Sequence, residues 1–451
     1  MTLRTSLLSD LENPSISVNT RAELCCDAAR QFENRGEYEE ARNVLSAYWR
    51  RIGERPKVTD LEPGAAAQVL LRAGVLTGII GSRNQITDAQ EKAKDLLTES
   101  HAIFESLGNI KKVAETQTEL ALCYWRTGES DEARDVLKEA LARLTIDSEL
   151  KAKAIIRLAI VERGAARYDK ALRILTSHTS LFDKIHNHTL IGSYHDTIGN
   201  ALENLSVLKK RQDYVDRALI EYAASSYHFE KAGHKIYLAS VENNLGALFF
   251  KINRYDEAHK HLDRSRRIFA SLQDFGSVAQ VDETRSCVFL QQGRVSEAER
   301  VARRAVQNEE KSGRQALLAD ALITHGRALA RLGSYSAALM AFRRAIDLSA
   351  RDKNTTRAED AAFAAFQEIG EHLVVAEDGQ QLSGRGWSHD KKTIEHNLIK
   401  VALEQTNGSV THAARNLGIS YQSLNYMLRT RYKDLLDVRT PVRPRPRKCK
   451  Q

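Results

Sequence analysis

The chain has 451 residues, 5 cysteines and only 6% aromatic residues, with 67 Lys and Arg against 59 Asp and Glu. The cysteines are scattered without a CxxC pair or a metal-like spacing, which excludes a disulfide framework and favours reduced thiols in a cytoplasm. Residues 1–14 lack the apolar segment of a signal peptide, and the most apolar window, residues 65–80, is interrupted by Arg72. We therefore expect no membrane span and a buried helix at that window.

The six prolines leave residues 64–440 without any, and this stretch is rich in Ala, Leu, Glu, Arg and Lys. Such a composition predicts an all-α chain. After a lead segment at residues 1–19, a pattern recurs through residues 20–375: a small residue, a turn seven positions later, an aromatic or apolar residue, and Ala three positions on. The clearest copies start at Gly246 and Gly326. Further copies start at Ala29, Ala121, Ala159 and Ser286, and a weaker one starts at Gly74 with its turn near Gly81.

Each part of the pattern has a physical reason. The small residue lets two antiparallel helices approach closely, and Gly in the turn takes a positive φ that ends the first helix. The pattern resembles the tetratricopeptide repeat, a helical hairpin that stacks into a superhelical solenoid. The repeated alanines 218, 258, 298 and 338 are 40 residues apart. We predict about eight repeats of ~40 residues, a longer unit at residues 189–231 and a closing helix at residues 356–373.

A tetratricopeptide superhelix presents its first helices on a concave groove, where we expect a peptide or protein ligand. Asparagine side chains at such positions can hold a peptide backbone with two hydrogen bonds each. An alternative is that Asn243 and Asn244 only satisfy neighbouring helix ends. The predicted groove residues are Asp196, Asn200, Asn243, Asn244, Arg327 and Arg331.

The C-terminal end carries the positive charge. Residues 391–451 contain 13 Lys and Arg against 4 Asp and Glu, a net charge of +9, whereas residues 1–390 have a net charge of −1. A neutral body with a small basic end is expected where that end contacts a polyanion.

A linker is predicted at residues 376–390 and a three-helix module at residues 391–437. Asn407 and Gly408 would close its first helix, Ser409 would cap the second, and Gly418 would supply the turn to the third, which Ser420 would cap. Ala413 and Ala414 on the second helix would form its close contact with the neighbouring helix, and Leu424 and Leu428 on the third would face inward. A structural cap on the solenoid would explain three helices but not the concentrated charge. The stretch resembles the Fis-type helix-turn-helix of bacterial enhancer-binding activators.

By this resemblance, the third helix enters the major groove of double-stranded DNA and its first turns face base edges. The chain departs from many relatives, because Gln422, Asn425 and Met427 stand where Arg or Lys is common. A proline-spaced basic tail, residues 438–451, could supply further phosphate contacts, or it could be a solvated tail. The predicted DNA-binding residues are Thr411, His412, Ser420, Tyr421, Gln422, Ser423, Asn425, Tyr426, Arg429, Arg431, Lys433, Arg443, Arg445 and Arg447.

The sequence contains no GxxxxGK[ST] loop, no HExxH and no nucleophile elbow, so we expect no enzyme, no metal and no cofactor. We predict a one-component, sequence-specific transcription regulator, cytoplasmic and associated with the nucleoid, that binds DNA as a homodimer. Its solenoid would sense a peptide, protein or small-molecule signal and control the C-terminal helix-turn-helix. The alternative is an interaction adaptor whose helix-turn-helix is degenerate or docks RNA or protein.

Overall fold

The computed structural model describes residues 16–351, 355–375, 396, 399–400, 402–404, 406–417 and 421–438. Throughout these residues the regular secondary structure is helical, as predicted for an all-α chain. They form two compact units, unit 1 up to Arg314 and unit 2 from Gln315 onward. The predicted linker at residues 376–390 lies outside the described residues.

Unit 1 consists of antiparallel helix pairs, each a first and a second helix. The seven pairs are α1 (Val18–Glu33) with α2 (Tyr38–Val44), α3 (Pro63–Arg83) with α4 (Ala89–Ser106), α5 (Ile110–Arg126) with α6 (Ser130–Arg143), α7 (Glu149–Gly164) with α8 (Tyr168–Thr176), α10 (His188–Lys209) with α11 (Gln212–Ala232), α12 (Lys235–Lys251) with α13 (Tyr255–Ser271), and α14 (Phe275–Gln291) with α15 (Val295–Ser312). A short helix, α9 (Thr179–Phe182), precedes the longest pair, which is the extended unit that the repeat spacing predicts.

Unit 2 begins with an eighth pair, α16 (Gln315–Arg331) with α17 (Tyr335–Arg351), followed by α18 (Thr355–Val375). Helix α18 packs on both helices of the pair, as expected for a closing helix. The rest of unit 2 contains α19 (Val410–Asn416), α20 (Tyr421–Thr430) and a 3-10 turn at Lys433–Val438. The eight described pairs agree with the predicted number of repeats.

The turns follow the pattern in all but one copy. Gly36, Gly128, Gly293 and Gly333 have φ between 73° and 89°, as expected for residues that end a first helix. The turn predicted near Gly81 is wrong, because α3 continues to Arg83 and Gly81 is buried within it against Ala89. Two non-glycine residues with positive φ, Gln85 and Asp88, make the turn instead.

The helix α3 contains the most apolar window of the sequence, which we predicted to be a buried helix. Of the helices that the described residues form, α3 is the one that is long and apolar enough to cross a membrane. However, 83% of its most apolar window is buried inside the fold. Its buried residues include Leu70, Leu71 and Leu76, each with no exposed surface. This agrees with the predicted buried solenoid helix.

The small residue of each repeat marks a close helix crossing. A Cβ atom added at Gly246 would lie 2.5 Å from Cγ of Leu262 and 3.2 Å from the carbonyl oxygen of Ala258. We expect Gly246→Ala to lower the free energy of unfolding by about 1–3 kcal/mol, because overpacking outweighs the gain in helix propensity. Urea unfolding measures the change. Gly64→Ala is the control, since the nearest atom there is 4.0 Å away; equal stability changes in the two variants would contradict the close crossing.

Unit 1 brings its first helix pair into contact with later pairs. The hydroxyl of Thr189 donates to the carbonyl oxygen of Asn34 at 2.8 Å. The ring of Tyr38 lies edge-on to His234, with centroids 6.5 Å apart. Burial lowers the pKa of His234 to about 4, so its imidazole is neutral in this contact near pH 7. First helices line the inner side of a tetratricopeptide superhelix, and these contacts link the first helix pair of unit 1 directly to its fifth and sixth pairs.

Candidate DNA-binding module and ligand groove

The C-terminal module packs around the residues expected to face inward. Ala413, Ala414, Leu424 and Leu428 are all buried, at 2% exposure or less. The small alanine pair lets α19 and α20 cross closely. The same cluster contains further buried side chains that the sequence pattern did not indicate: Ile399, Leu403, Val410, Tyr432 and Leu435.

The segment before α19 is closed by backbone geometry. Asn407 and Gly408 both have positive φ, 49° and 77°, and the Gly408 N–H donates to the carbonyl oxygen of Leu403 at 2.7 Å. Thr406, which the sequence pattern does not indicate, donates its hydroxyl to the carbonyl oxygen of Ala402 at 2.7 Å. The predicted end of the first helix at Asn407-Gly408 is therefore confirmed.

The predicted side-chain cap at Ser409 is wrong. Ser409 occupies the N-cap position of α19 but makes no cap hydrogen bond, and its hydroxyl lies 3.0 Å from Nδ1 of His412 instead. The predicted turn at Gly418 and cap at Ser420 lie outside the described residues.

The exposed side of α20 carries the predicted base-reading residues. Tyr421 is 45% exposed and Tyr426 63% exposed. Gln422 and Ser423 are also exposed, and Asn425 is half-buried. No acidic residue occurs between Tyr421 and Thr430. This side thus offers amides, hydroxyls and aromatic rings, the groups that read base edges and contact thymine methyls.

Cationic and polar residues flank that side. Thr411 and His412 on α19 are exposed, as are Arg429, Arg431 and Lys433 at and beyond the end of α20. Cationic, hydroxyl and imidazole groups are of the kinds that contact DNA phosphates. The tail residues Arg443, Arg445 and Arg447 lie outside the described residues.

A hydrogen bond joins the start and the end of the module. The Nε2 atom of His396 contacts the carboxylate of Asp434, and the His396 ring lies edge-on to Tyr432 with centroids 5.8 Å apart. The hydrogen bond from His396 holds the pKa of Asp434 below its usual range. His396 thereby contacts Asp434, one of the few acidic residues near the cationic residues of the module. The two residues are 38 positions apart in the sequence, so no local sequence pattern predicts their contact.

The inner surface of unit 1 carries a series of ion pairs between successive first helices. Arg72 on α3 donates to Glu33 on α1 at 2.7 Å and to Glu115 on α5 at 2.5 Å. Glu119 on α5 accepts from Lys153 and Arg157 on α7, both at 2.6 Å. We call these contacts the ion-pair ladder.

In the ion-pair ladder, burial raises the pKa of the carboxyl groups, whereas the nearby cations lower it. Burial raises the pKa of Glu119, but Arg157 and Lys153 outweigh it and hold the pKa below its ordinary value. Burial dominates at Glu33, whose pKa is raised despite Arg72. The repeat pattern did not predict the ion-pair ladder. Acidic and basic residues that alternate roughly one repeat apart on first helices would have indicated it.

Three of the predicted groove residues are hydrogen-bonded to one another, and a fourth is adjacent to them in the sequence. Asn244 on α12 donates its amide to the carboxylate of Asp196 on α10 at 3.4 Å. Asn200 donates to the carbonyl oxygen of Asp196 at 2.7 Å. Asn243 lies beside Asn244, and its buried Oδ1 has no hydrogen-bond partner among the described residues. Asn244 bonds a side chain on a neighbouring first helix, which is not the helix-end role considered as an alternative.

A cation faces this polar group. The Nε atom of Arg163 on α7 is buried without a hydrogen-bond partner in the described part of the chain. Burial raises the pKa of Asp196 to about 6, and Arg163 with the two asparagine amides offsets only part of that rise. Asp196, Asn200, Asn243, Asn244 and Arg163 form what we call the groove cluster: a carboxylate, three amides and a guanidinium.

The two predicted arginines of α16 lie in unit 2. Arg331 forms a forked ion pair with Glu368 on α18, with Nη2 to Oε1 at 2.8 Å. Arg327 on the same helix is half-buried. Arg331 therefore has a structural contact to the closing helix; the two arginines belong to unit 2, whereas the groove cluster belongs to unit 1.

Neutralising Asp196 should stabilise unit 1 near neutral pH. A raised carboxyl pKa means that the ionised form costs stability above about pH 6, and that this cost disappears as pH falls toward the unfolded value of about 4. We expect Asp196→Asn to raise the free energy of unfolding by roughly 1–3 kcal/mol at about pH 7.5 and by little at about pH 4. Urea unfolding at both pH values measures this. Asp213→Asn is the exposed control and should give no gain; a gain at Asp196 independent of pH would contradict the burial of its charge.

Comparison with known families agrees with both parts of the chain. Residues 392–429 match the bacterial regulatory proteins of the Fis family. Residues 89–146, 113–184 and 319–352 match the tetratricopeptide repeat. The chain therefore carries tetratricopeptide repeats and a C-terminal Fis-family helix-turn-helix. These families are regulatory and interaction families, not catalytic ones. No curated protein sequence is significantly similar to the chain.

Solved structures are similar to the chain at low sequence identity. The apo form of the quorum sensor NprR from B. thuringiensis is 12% identical, with a TM-score of 0.51, and the match covers 76% of this chain and 92% of NprR. Aspartyl phosphate phosphatase F from Bacillus subtilis is 12% identical, with a TM-score of 0.49 and coverage of 80% and 91%. A Rap protein complexed with competence and sporulation factor is 13% identical, with a TM-score of 0.49 and coverage of 75% and 99%.

Proposed function

We propose that the chain is a sequence-specific DNA-binding transcription regulator whose solenoid binds a signal and controls the C-terminal helix-turn-helix. One observation carries the proposal: α20, the third helix of a Fis-type module, presents an exposed side of amides, hydroxyls and aromatic rings without an acidic residue. The net charge of +9 in residues 391–451 supports the same role, because phosphate neutralisation supplies much of the affinity for DNA. Such a regulator would act inside the cell, in the cytoplasm with the nucleoid.

For the signal, the groove cluster favours a peptide or a peptide segment of a protein. Amides of Asn243 and Asn244 can bond a peptide backbone, Asp196 can accept from an amine, and Arg163 can bind a carboxylate. A buried carboxylate that costs stability is typical of a binding site. NprR, which shares the solenoid fold, is described as a quorum sensor; for this chain we propose signal binding from the groove cluster.

Selection from a random double-stranded DNA pool tests the proposal. We expect the full-length protein to enrich a two-part site, and a copy lacking residues 391–451 to enrich nothing. Retention of the same enrichment in the truncated protein would contradict the assignment of the reader.

A second candidate function rests on a specific feature of α20. Its first cationic residue is Arg429, near the end of the helix. A helix-turn-helix with so little charge could serve as a docking element for protein or RNA in an interaction adaptor. No enrichment of any DNA site by the intact protein, together with capture of a defined protein or RNA by the module, would favour this function.

A further inference from the structure

The second helix of the longest pair, α11, has an apolar stripe on its exposed face. Ile220 is 68% exposed and Tyr227 is 55% exposed. Ala223 is exposed and Ala224 half-buried between them. These positions recur at the spacing of one helix face, so the stripe is continuous over two turns. A continuous apolar stripe on a solvated helix is typical of a surface that binds another protein.

Charged residues border the stripe in a symmetric order. Asp216 and Arg217 lie on its N-terminal side and Glu230 and Lys231 on its C-terminal side, all of them exposed. A two-fold axis between Ala223 and Ala224 would place a second copy of α11 antiparallel to the first. Each charge would then oppose a residue of opposite sign: Asp216 opposite Lys231 of the second copy, and Arg217 opposite Glu230 of the second copy.

The same two-fold axis would also bring apolar residues of the two copies together. Ile220 would oppose Tyr227 of the second copy, and the alanines would meet at the centre, where small side chains allow two helices to approach to about 8–10 Å. A parallel arrangement in the same register would oppose Asp216 to Asp216 and Lys231 to Lys231, which costs binding energy. The pattern thus fits a second copy of this chain in one orientation.

Contacts among the described residues of the protomer leave this face available. Lys231 Nζ lies 5.6 Å from the ring centroid of Tyr227, Glu230 accepts from Arg264 at 2.7 Å, and Asp216 accepts from Gln212 at 3.1 Å. All three are exposed interactions of low net strength that can rearrange. They hold the charged groups at the border of the stripe, where the second copy would meet them.

We propose that α11 is a two-fold dimerisation surface, centred between Ala223 and Ala224, that pairs with α11 of a second copy. The surface deepens the proposed function and in that sense rests on it, since a two-fold dimer presents two DNA-binding modules to two half-sites. The contact itself forms without DNA.

Sedimentation equilibrium of the full chain without DNA tests the surface. We expect a dimer for the natural sequence and a dissociation constant raised at least about 30-fold by Ile220→Asp. Ile146→Asp is the matched control, since Ile146 is 79% exposed and lies on a loop of the same unit. A monomeric natural protein, or equal behaviour of the two variants, would overturn the proposal.

Exchanging the charges that border the stripe distinguishes loss of charge pairing from misfolding, because a misfolded double variant would not regain affinity. Asp216→Lys alone and Lys231→Asp alone should each weaken the dimer, whereas the double variant should recover most of the natural affinity. Additive weakening in the double variant would overturn the antiparallel pairing.

A disulfide gives a separate test of where the axis lies. With Cys287 and Cys449 replaced by Ser, Ala224→Cys should form a disulfide-linked dimer on oxidation. Absence of that linked dimer would place the axis elsewhere.

The same variants separate this inference from the proposed function. If Ile220→Asp is monomeric but still binds a single half-site, both the surface and the DNA reader stand. If the natural protein is a dimer through α11 that selects no DNA site, the surface stands and the proposed function fails. If DNA is selected by a protein that is monomeric, the surface fails and the proposed function stands.

Discussion

Replacing Arg72 by Met should lower the free energy of unfolding of unit 1 by about 3–5 kcal/mol, because breaking a buried ion pair leaves uncompensated charge. Arg72 is 4% exposed and its guanidinium joins Glu33 and Glu115, which are 8% and 12% exposed. Without it, two buried carboxylates face each other across the inner surface. Urea unfolding followed by circular dichroism measures the change.

An exposed pair supplies the control for that prediction. Lys138 and Asp135 are 2.9 Å apart and 59% and 69% exposed, so Lys138→Met should change stability by less than about 1 kcal/mol. The triple variant Arg72→Met, Glu33→Gln, Glu115→Gln should recover much of the loss, since the amides remove both negative charges. A loss in Arg72→Met no larger than in Lys138→Met would contradict the role given to the ladder.

The double variant Gln422→Ala, Asn425→Ala should lose most of its preference for its DNA site. Each amide that bonds a base edge in two places contributes about 1–3 kcal/mol of discrimination. We therefore expect the double variant to bind its specific site at least about 100-fold more weakly, while its weak binding to unrelated DNA is unchanged because the phosphate contacts remain.

Fluorescence anisotropy with specific and unrelated duplexes at one salt concentration measures both affinities. Gln307→Ala, at an exposed glutamine on α15, is the matched control and should behave as the natural protein. If the double variant weakened both duplexes equally, α20 would hold the backbone without reading sequence, and the assignment of Gln422 and Asn425 as base-reading residues would fail.

Features of the fold that depend on neighbouring residues could be predicted from the sequence. The positive φ of Gly333 and the close approach at Gly246 follow from the absence of a side chain at a turn or a crossing. The same reasoning failed at Gly81, because a turn can also be made by polar residues in the left-handed region, here Gln85 and Asp88. At Ser409 the position was correct but the hydroxyl had a competing partner in His412.

Features that depend on the curvature of the superhelix could not be predicted in the same way. The contact from Thr189 to Asn34 spans 155 residues and results from small rotations accumulated over several repeats. The partners of Arg72 and Glu119 depend on which face each first helix turns inward. The pairing of Asp196 with Asn244 was within reach, because both occupy the predicted groove face of successive first helices.

Genome-wide DNA pull-down in the native cell tests the central claim most directly. The intact protein should be compared with the Gln422→Ala, Asn425→Ala variant, which keeps the module and its charge. The account predicts discrete peaks that share one two-part sequence and that disappear in the variant. Peaks that persist unchanged in the variant, or the absence of any peak for the intact protein, would contradict a sequence-specific regulator that reads DNA through α20.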